Sequence, residues 1–247
     1  MNNRLRSFLA TAAMAVVFAS AAADAVIIRH DRTDADALKL GARFTAVGRI
    51  LRDGGATLIA PDWVVTAAHV IAPLRPTDRL QFGDKTYGMK RGVFYPGTRL
   101  REGTPPEVDL ALIQLNEPVT GIEPLPIYRG QAEFGQTVFI VGYGDYGVAG
   151  EGFHRSDGRR RAVMNVVHDA GPKRIFMRFD APPDGSQFEG VGGPGDSGGP
   201  ALLEEGGRLY IAGVSSASMD GKPGAYGVVD VYMRLSAYAH WIDETIR

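Results

Sequence analysis

The stretch Gly195-Asp196-Ser197-Gly198-Gly199-Pro200 decides how this 247-residue chain is read. Five glycines fall within the eight positions 192–199. Each loses backbone entropy on folding, so a stable fold needs a return for holding them. One return is chemical: glycine lets the chain turn tightly and lets a substrate carbonyl come close to backbone N–H groups. The N–H groups of Gly195 and Ser197 would then face a developing oxyanion while the Ser197 hydroxyl attacks. The alternative is a Gly/Ser turn between two strands, and the stretch alone does not choose between them.

Two further stretches do choose. Pro61-Asp62-Trp63-Val64-Val65-Thr66-Ala67-Ala68-His69 places a histidine at the end of an apolar run, and Val108-Asp109-Leu110-Ala111-Leu112-Ile113 places an acid at the start of another. With Ser197 the chain order is His, Asp, Ser, as in chymotrypsin-type enzymes. TAAH, DLAL and GDSGGP together resemble the trypsin/chymotrypsin-like serine peptidase family. The likeness extends to Gly54, Gly55, Leu58 and Ile59 before the histidine and to Tyr238, Trp241 and Ile242 near the end. It covers most of the chain after Ala25. It implies an all-β fold of two antiparallel six-stranded β-barrels with a C-terminal α-helix and a site in the cleft between them. His69 and Asp109 would come from the first barrel and Ser197 from the second. His69 would take the Ser197 proton and later pass it to the leaving amine, with Asp109 fixing the imidazole tautomer. Pro194, lacking an N–H, cannot donate to an oxyanion. No metal or organic cofactor is required.

Residues 1–25 read as a secretory signal peptide. Arg4 and Arg6 precede an apolar core from Phe8 to Phe18, and Ala23-Asp24-Ala25 offers a cleavage site, with Ala21-Ala22-Ala23 competing. The core is too short to span a bilayer of ~30 Å. Cutting after Ala25 would free Val26. In the family resembled, a new apolar amino terminus pairs with the acid before the serine, here Asp196. This chain begins Val26-Ile27-Ile28-Arg29 where the family shows an Ile-Val-Gly-Gly-like start, and the alternative is an Asp196 held by other hydrogen bonds. The expected destination is the periplasm or the medium.

Cysteine is absent, as in bacterial-type members. Asp53, Val70 and Gly193 stand where the family commonly carries disulfide cysteines, so ~2–4 kcal/mol per bridge must be made up by packing. A formal charge of −1 gives no pull toward nucleic acid or acidic lipid. Arg159-Arg160-Arg161 reads as a solvated hairpin flank. Asp31, Asp34 and Asp36 form an acidic cluster near the mature start, with a calcium site as the minor alternative. His30, His154, His168 and His240 read as surface or helix residues.

Strand signals recur over 43–51, 56–59, 64–67, 110–115, 137–142, 174–179, 209–214 and 228–232. Pro118, Pro124 and Pro126 mark a connector, which divides the mature chain into barrel halves 26–120 and 121–235. Only 236–247 reads as helical, with Ser236 as its cap and Tyr238, Trp241, Ile242 and Thr245 on one face.

Gly195 to Gly199 also fits an α/β-hydrolase elbow, with Asp220 or Asp230 and His240 as partners, but no apolar strand precedes the serine and TAAH and DLAL are left unexplained. A second rival is a peptidase fold that binds without cutting. The resemblance implies a protein or peptide substrate, a protein inhibitor, no nucleic acid, no membrane after signal removal, and a monomer. For specificity, Val191 occupies the place, six residues before the serine, where relatives that prefer basic residues carry an acid. Asp230, with Glu189 also near, is the candidate for a pocket carboxylate that would favour Arg or Lys. Ser215, in Val214-Ser215-Ser216-Ala217, resembles the Val-Ser-Trp-Gly substrate edge of the family, with Ser216 in the place of the Trp.

Overall fold

Six strands between Val47 and Leu115 close on themselves in a computed structural model, which describes residues 26–51, 54–101, 106–154 and 156–247. The signal segment and Asp53 lie outside the described residues. The chain enters through a short strand β1 (Ile27–Ile28) and a helix α1 (Asp34–Gly41). The first barrel follows with β2 (Val47–Ile50), β3 (Gly55–Ala60) and β4 (Trp63–Thr66), then a single-turn helix α2 (Ala68–Ile71). It is completed by β5 (Arg79–Phe82), β6 (Lys85–Phe94) and β7 (Ala111–Leu115). Strand order is β2-β3-β4-β7-β6-β5, all antiparallel. All four residues of β4 are buried. Barrel closure covers both faces of such a strand, which is why Trp63-Val64-Val65 runs apolar without alternation.

The second half supplies β8 (Thr137–Gly142), β9 (Tyr146–Val148), β10 (Gly152–His154), β11 (Arg161–Ala170) and β12 (Arg174–Arg178). It continues with β13 (Gly190–Val191), β14 (Pro200–Glu205), β15 (Arg208–Met219) and β16 (Val229–Arg234). Six of these close a second antiparallel barrel in the order β11-β12-β16-β15-β14-β8. The remaining three join β1 in a small sheet, β10-β9-β1-β13. Two closed six-stranded barrels with a terminal helix are the architecture the sequence implies.

Several local expectations are corrected. Helix α1 sits where no helix was expected. Thr33 caps it, its hydroxyl accepting from the Asp36 N–H, and Asp34 and Asp36 lie in the first turn with Lys39 in the last, a charge arrangement that suits the helix dipole. The acidic cluster disperses to separate partners: Asp31 pairs with Arg29, Asp34 with Arg161, and Asp36 with the Thr33 hydroxyl. The segment 26–41 meets the second barrel through α1 on β11, and its strand β1 pairs with β13 of the small sheet. Of the three arginines, Arg161 is almost wholly buried and Arg160 bonds the Gly41 and Val47 carbonyls, so this run is no solvated flank. The C-terminal helix begins as a 3-10 turn (Leu235–Tyr238) and becomes α-helical as α3 (Ala239–Thr245). Ser236 does not cap it; its hydroxyl donates to Glu133. Tyr238 and Trp241 bracket the Tyr95 ring edge-on, at 5.1 and 5.3 Å between centroids, which ties the chain's end to the first barrel.

Candidate active site

Strand β4 delivers the chain into α2 at Ala67, and the single turn of α2 carries His69. Asp109 lies just before β7, the strand paired with β4. The carboxyl of Asp109 is fully buried, while the His69 side chain stays 37% exposed. One carboxyl oxygen accepts the His69 backbone N–H at 2.9 Å, and the other sits 2.6 Å from Nδ1. A carboxylate accepts and does not donate, so Nδ1 carries the proton and Nε2 of the neutral ring is left as an acceptor.

The Ser197 loop comes from the second barrel and is pressed against this corner. The Ser197 carbonyl accepts the Gly55 N–H at 2.8 Å, and the Gly198 N–H and Ser215 carbonyl bond at 2.9 Å. A side chain on Gly198 would meet the Thr66 hydroxyl at 2.2 Å, and Gly198 has φ of +81°. Only glycine admits so close an approach at that dihedral. Gly54 touches both neighbourhoods: a Cβ there would lie 2.6 Å from the Val70 side chain and 3.0 Å from the Ser197 carbonyl oxygen. Residue 197 and the histidine helix are thus packed on the same glycine. Among the described residues, no acceptor takes the N–H of Gly195 or of Ser197. Gly195 has φ of +91°.

Asp196 turns away from the cleft into the second barrel. Its carboxyl accepts from the Gly144 N–H at 3.1 Å and the Gly193 N–H at 3.2 Å. Burial pushes it up to about 7, against the pull of the Gly144, Gly193 and Tyr143 backbone groups. A Cβ on Gly142 would lie 1.7 Å from its Oδ1, so the carboxyl occupies the space a side chain would need.

Beside Ser197 opens a cavity of about 230 Å³, lined by Gly192, Ser215, Ser218, Val228 and Asp230 among others. Asp230 is 2% exposed. Its Oδ2 accepts the Gly192 N–H at 2.7 Å and its Oδ1 the Ser218 hydroxyl at 2.8 Å. Burial raises this carboxyl to about 7 against the pull of the Ser218 and Gly192 hydrogen bonds, and the nearby charge of Asp196 adds to the rise. Val191 does not reach the cavity; it pairs with Ile27 and packs among Ile27, Phe179 and Val228. Glu189 is buried elsewhere, accepting from the Ser186 and Asp180 N–H groups.

Ser215 and Ser216 go to different surroundings, Ser215 to the cavity lining and Ser216 to Asp109. Strands β15 and β16 shift register between Ser215 and Ala217. This bulge leaves Ser216 without a cross-strand partner and re-aims it. Its hydroxyl donates to Asp109 Oδ2 at 2.8 Å, while Ser215 keeps Tyr232 as its cross-strand partner. Ser216 therefore joins the Asp109 site, and Ala217 lies next along the cavity edge. Two adjacent serines gave the sequence no means of telling which would be the unpaired one.

Three comparisons bear on the chain. The family model described as Trypsin matches residues 40–242. Among curated proteins, the bovine (Bos taurus) suppressor of tumorigenicity 14 protein homolog is 28% identical over 78% of this chain and 25% of its own length. Transmembrane protease serine 11E of Mus musculus is 27% identical over 76% of this chain and 47% of its own. Kallikrein-14 of Homo sapiens is 27% identical over 78% and 74%. The chain thus spans from a quarter to just under half of the first two relatives. Among solved structures, mouse neuropsin, described as a serine protease expressed in the limbic system, superposes with a TM-score of 0.69. That match is 18% identical and covers 84% of this chain and 96% of neuropsin, a likeness of fold. No helix among the described residues is long and apolar enough to cross a membrane.

Proposed function

This chain belongs to the trypsin family, and from that membership we propose that it is a serine endopeptidase working through Ser197, His69 and Asp109. The observation that carries the proposal is the buried Asp109 carboxyl, 2.6 Å from His69 Nδ1, beside a serine loop packed on the same corner. Nε2 of His69 accepts the Ser197 hydroxyl proton as Oγ bonds to the scissile carbonyl carbon. The carbonyl oxygen becomes an oxyanion, held by the free N–H groups of Gly195 and Ser197. When the tetrahedral species collapses, the C–N bond breaks, His69 gives its proton to the departing amine, and an acyl group remains on Ser197. A water then repeats the sequence and releases the acid.

Asp230 is the proposed recognition group for an Arg or Lys side chain, since it places a carboxyl on the wall of a cavity that opens beside Ser197. Val191 backs that wall without touching the ligand, and Ser215 lines the rim. Removal of residues 1–25 as a secretory signal would free Val26, whose amine is the proposed ion partner of Asp196. Support comes from the burial of Val26 and from β1, which pairs with β13 shortly before the serine loop. The enzyme would then act, outside the cytoplasm and as a monomer, on protein or peptide substrates, and protein inhibitors would bind the same cleft.

The test is digestion of a peptide library by the purified mature protein, beside its Ser197→Ala variant. Cleavage after Arg and Lys, lost by roughly a million-fold in the variant, is the expected result. No cleavage of any peptide by the folded wild type would favour the binding-only reading, and cleavage indifferent to Arg and Lys would remove Asp230 from specificity.

A further inference from the structure

Arg161 has the largest of the fully buried side chains, and the mechanism above makes no use of it. Its guanidinium forks onto Asp34 of α1, with Nε at 2.5 Å and Nη2 at 3.0 Å. It forks again onto Asp157, at 2.8 and 3.0 Å. Its flat face lies 3.6 Å from the centre of the Tyr146 ring. One cation therefore holds a helix, a loop and the first residue of β9 together. Both carboxylates reach it in the planar paired geometry that arginine offers and lysine does not. The pairing lowers the Asp157 carboxyl below its usual range.

The backbone of Arg161 is the strand partner of Gly142. From Gly142 the chain runs through Tyr143 and Gly144 to Tyr146, so Arg161 grips this short segment at both ends, by its backbone at Gly142 and by its side chain at Tyr146. The segment is also the seat of Asp196: Gly142 makes room for the carboxyl, and the Gly144 N–H bonds to it. Asp196 in turn receives the Gly193 N–H and is followed directly by Ser197. Among the described residues no side-chain cation is ion-paired with Asp196, and the charge of Arg161 favours its ionised form.

We propose that Arg161 is a positioning residue for the reaction: by locking Gly142–Tyr146 it holds Asp196, and through Asp196 the Gly193–Ser197 turn that presents the oxyanion N–H groups. In a chain without disulfides this clamp supplies, from outside the cleft, the rigidity the turn needs. The inference rests on the peptidase reading, and its test is arranged so that the two fail separately.

The variants are Arg161→Met and Arg161→Lys, compared with wild type as purified mature protein. The measurements are kcat and KM per titrated active site on an Arg peptide amide, and hydrogen exchange along the backbone. Arg161→Met is expected to lower kcat/KM ~100-fold, the scale of losing an oxyanion donor. Exchange is expected to quicken in 142–146 and 192–197 while β4 stays protected. Arg161→Lys should recover part of the rate, as it keeps the charge but not the fork. If Arg161→Met fails to fold, Asp157→Asn at the solvent-facing end of the clamp should show the same pattern at a few-fold scale. Wild-type rates in folded Arg161→Met would overturn the proposal. So would exchange that quickens equally in both barrels, which marks a merely structural role. If the wild type cuts nothing, the peptidase reading falls, and the exchange contrast between the two segments and β4 still decides the positioning claim.

Discussion

Ser216 sits 2.8 Å from a carboxyl that also holds the imidazole, so at the scale of single residues it is the sharpest addition to the site. On the proposed mechanism its hydroxyl helps keep the Asp109 carboxyl aimed at the imidazole. Ser216→Ala is expected to lower kcat/KM ~10-fold, the scale of one hydrogen bond to a charged acceptor, with fold retained by circular dichroism. Asp230 gives a pH prediction with a definite sign. Its carboxyl is raised to about 7, from ~3.9 in an unfolded chain. The folded state therefore binds the extra proton between those values, and stability falls as pH rises from ~4 to ~7. Asp196, also raised to about 7, acts in the same window with the same sign and remains in Asp230→Asn, while carboxyls held low, such as Asp157 and Asp243, act below it. Thermal midpoints measured across pH 4–7.5 should show a downward contribution in wild type that Asp230→Asn lacks. Binding of an arylamidine, which needs the ionised carboxylate, should run the other way, weakening as pH falls through ~7 and vanishing in the variant. His69, Asp109 and Ser197 were legible because each sits in a motif at an element boundary. Ser216 was not, because a bulge decides its direction and no residue type encodes that bulge.

At the scale of elements, β8 and the turn after it carry the weight, since Gly142 leaves room for Asp196. Gly142→Ala would push a methyl into that carboxyl. The expected result is a loss of ~1–3 kcal/mol from overpacking and a larger fall in turnover than in thermal stability, read by peptide hydrolysis and thermal unfolding of the same preparation. Most strands of the two barrels could be read from runs such as Trp63-Val64-Val65 and Val138-Phe139-Ile140-Val141. Strand β6 could not, because it is largely exposed and reads Lys85-Thr86-Tyr87-Gly88-Met89-Lys90-Arg91, with little alternation. Nor could β11, whose start is masked by three arginines. Helix α1 did leave a signal in Thr33-Asp34-Ala35-Asp36, a capping pattern with acids in the first turn. Read as a bare acidic cluster, that signal was lost.

At the scale of the whole molecule, two barrels without a disulfide are held by shared packing and by buried ion clusters. One apolar core runs through both barrels, from Phe44 and Leu112 to Phe139, Met233 and Ile242. Away from the cleft, the fully buried Glu133 takes a paired bond from Arg234 of β16 and a further one from Ser236. Glu133→Gln would leave Arg234 without its counter-charge, and a cost of ~3–5 kcal/mol is expected in denaturant unfolding, with kcat little changed. The most direct test of the central claim is a mass-spectrometric map of the adduct formed by a fluorophosphonate on the mature protein. The account predicts one adduct per chain, on Ser197, slowed ~10⁴-fold in Asp109→Asn and absent in Ser197→Ala. An adduct elsewhere, or one on Ser197 whose rate ignores residue 109, would contradict it.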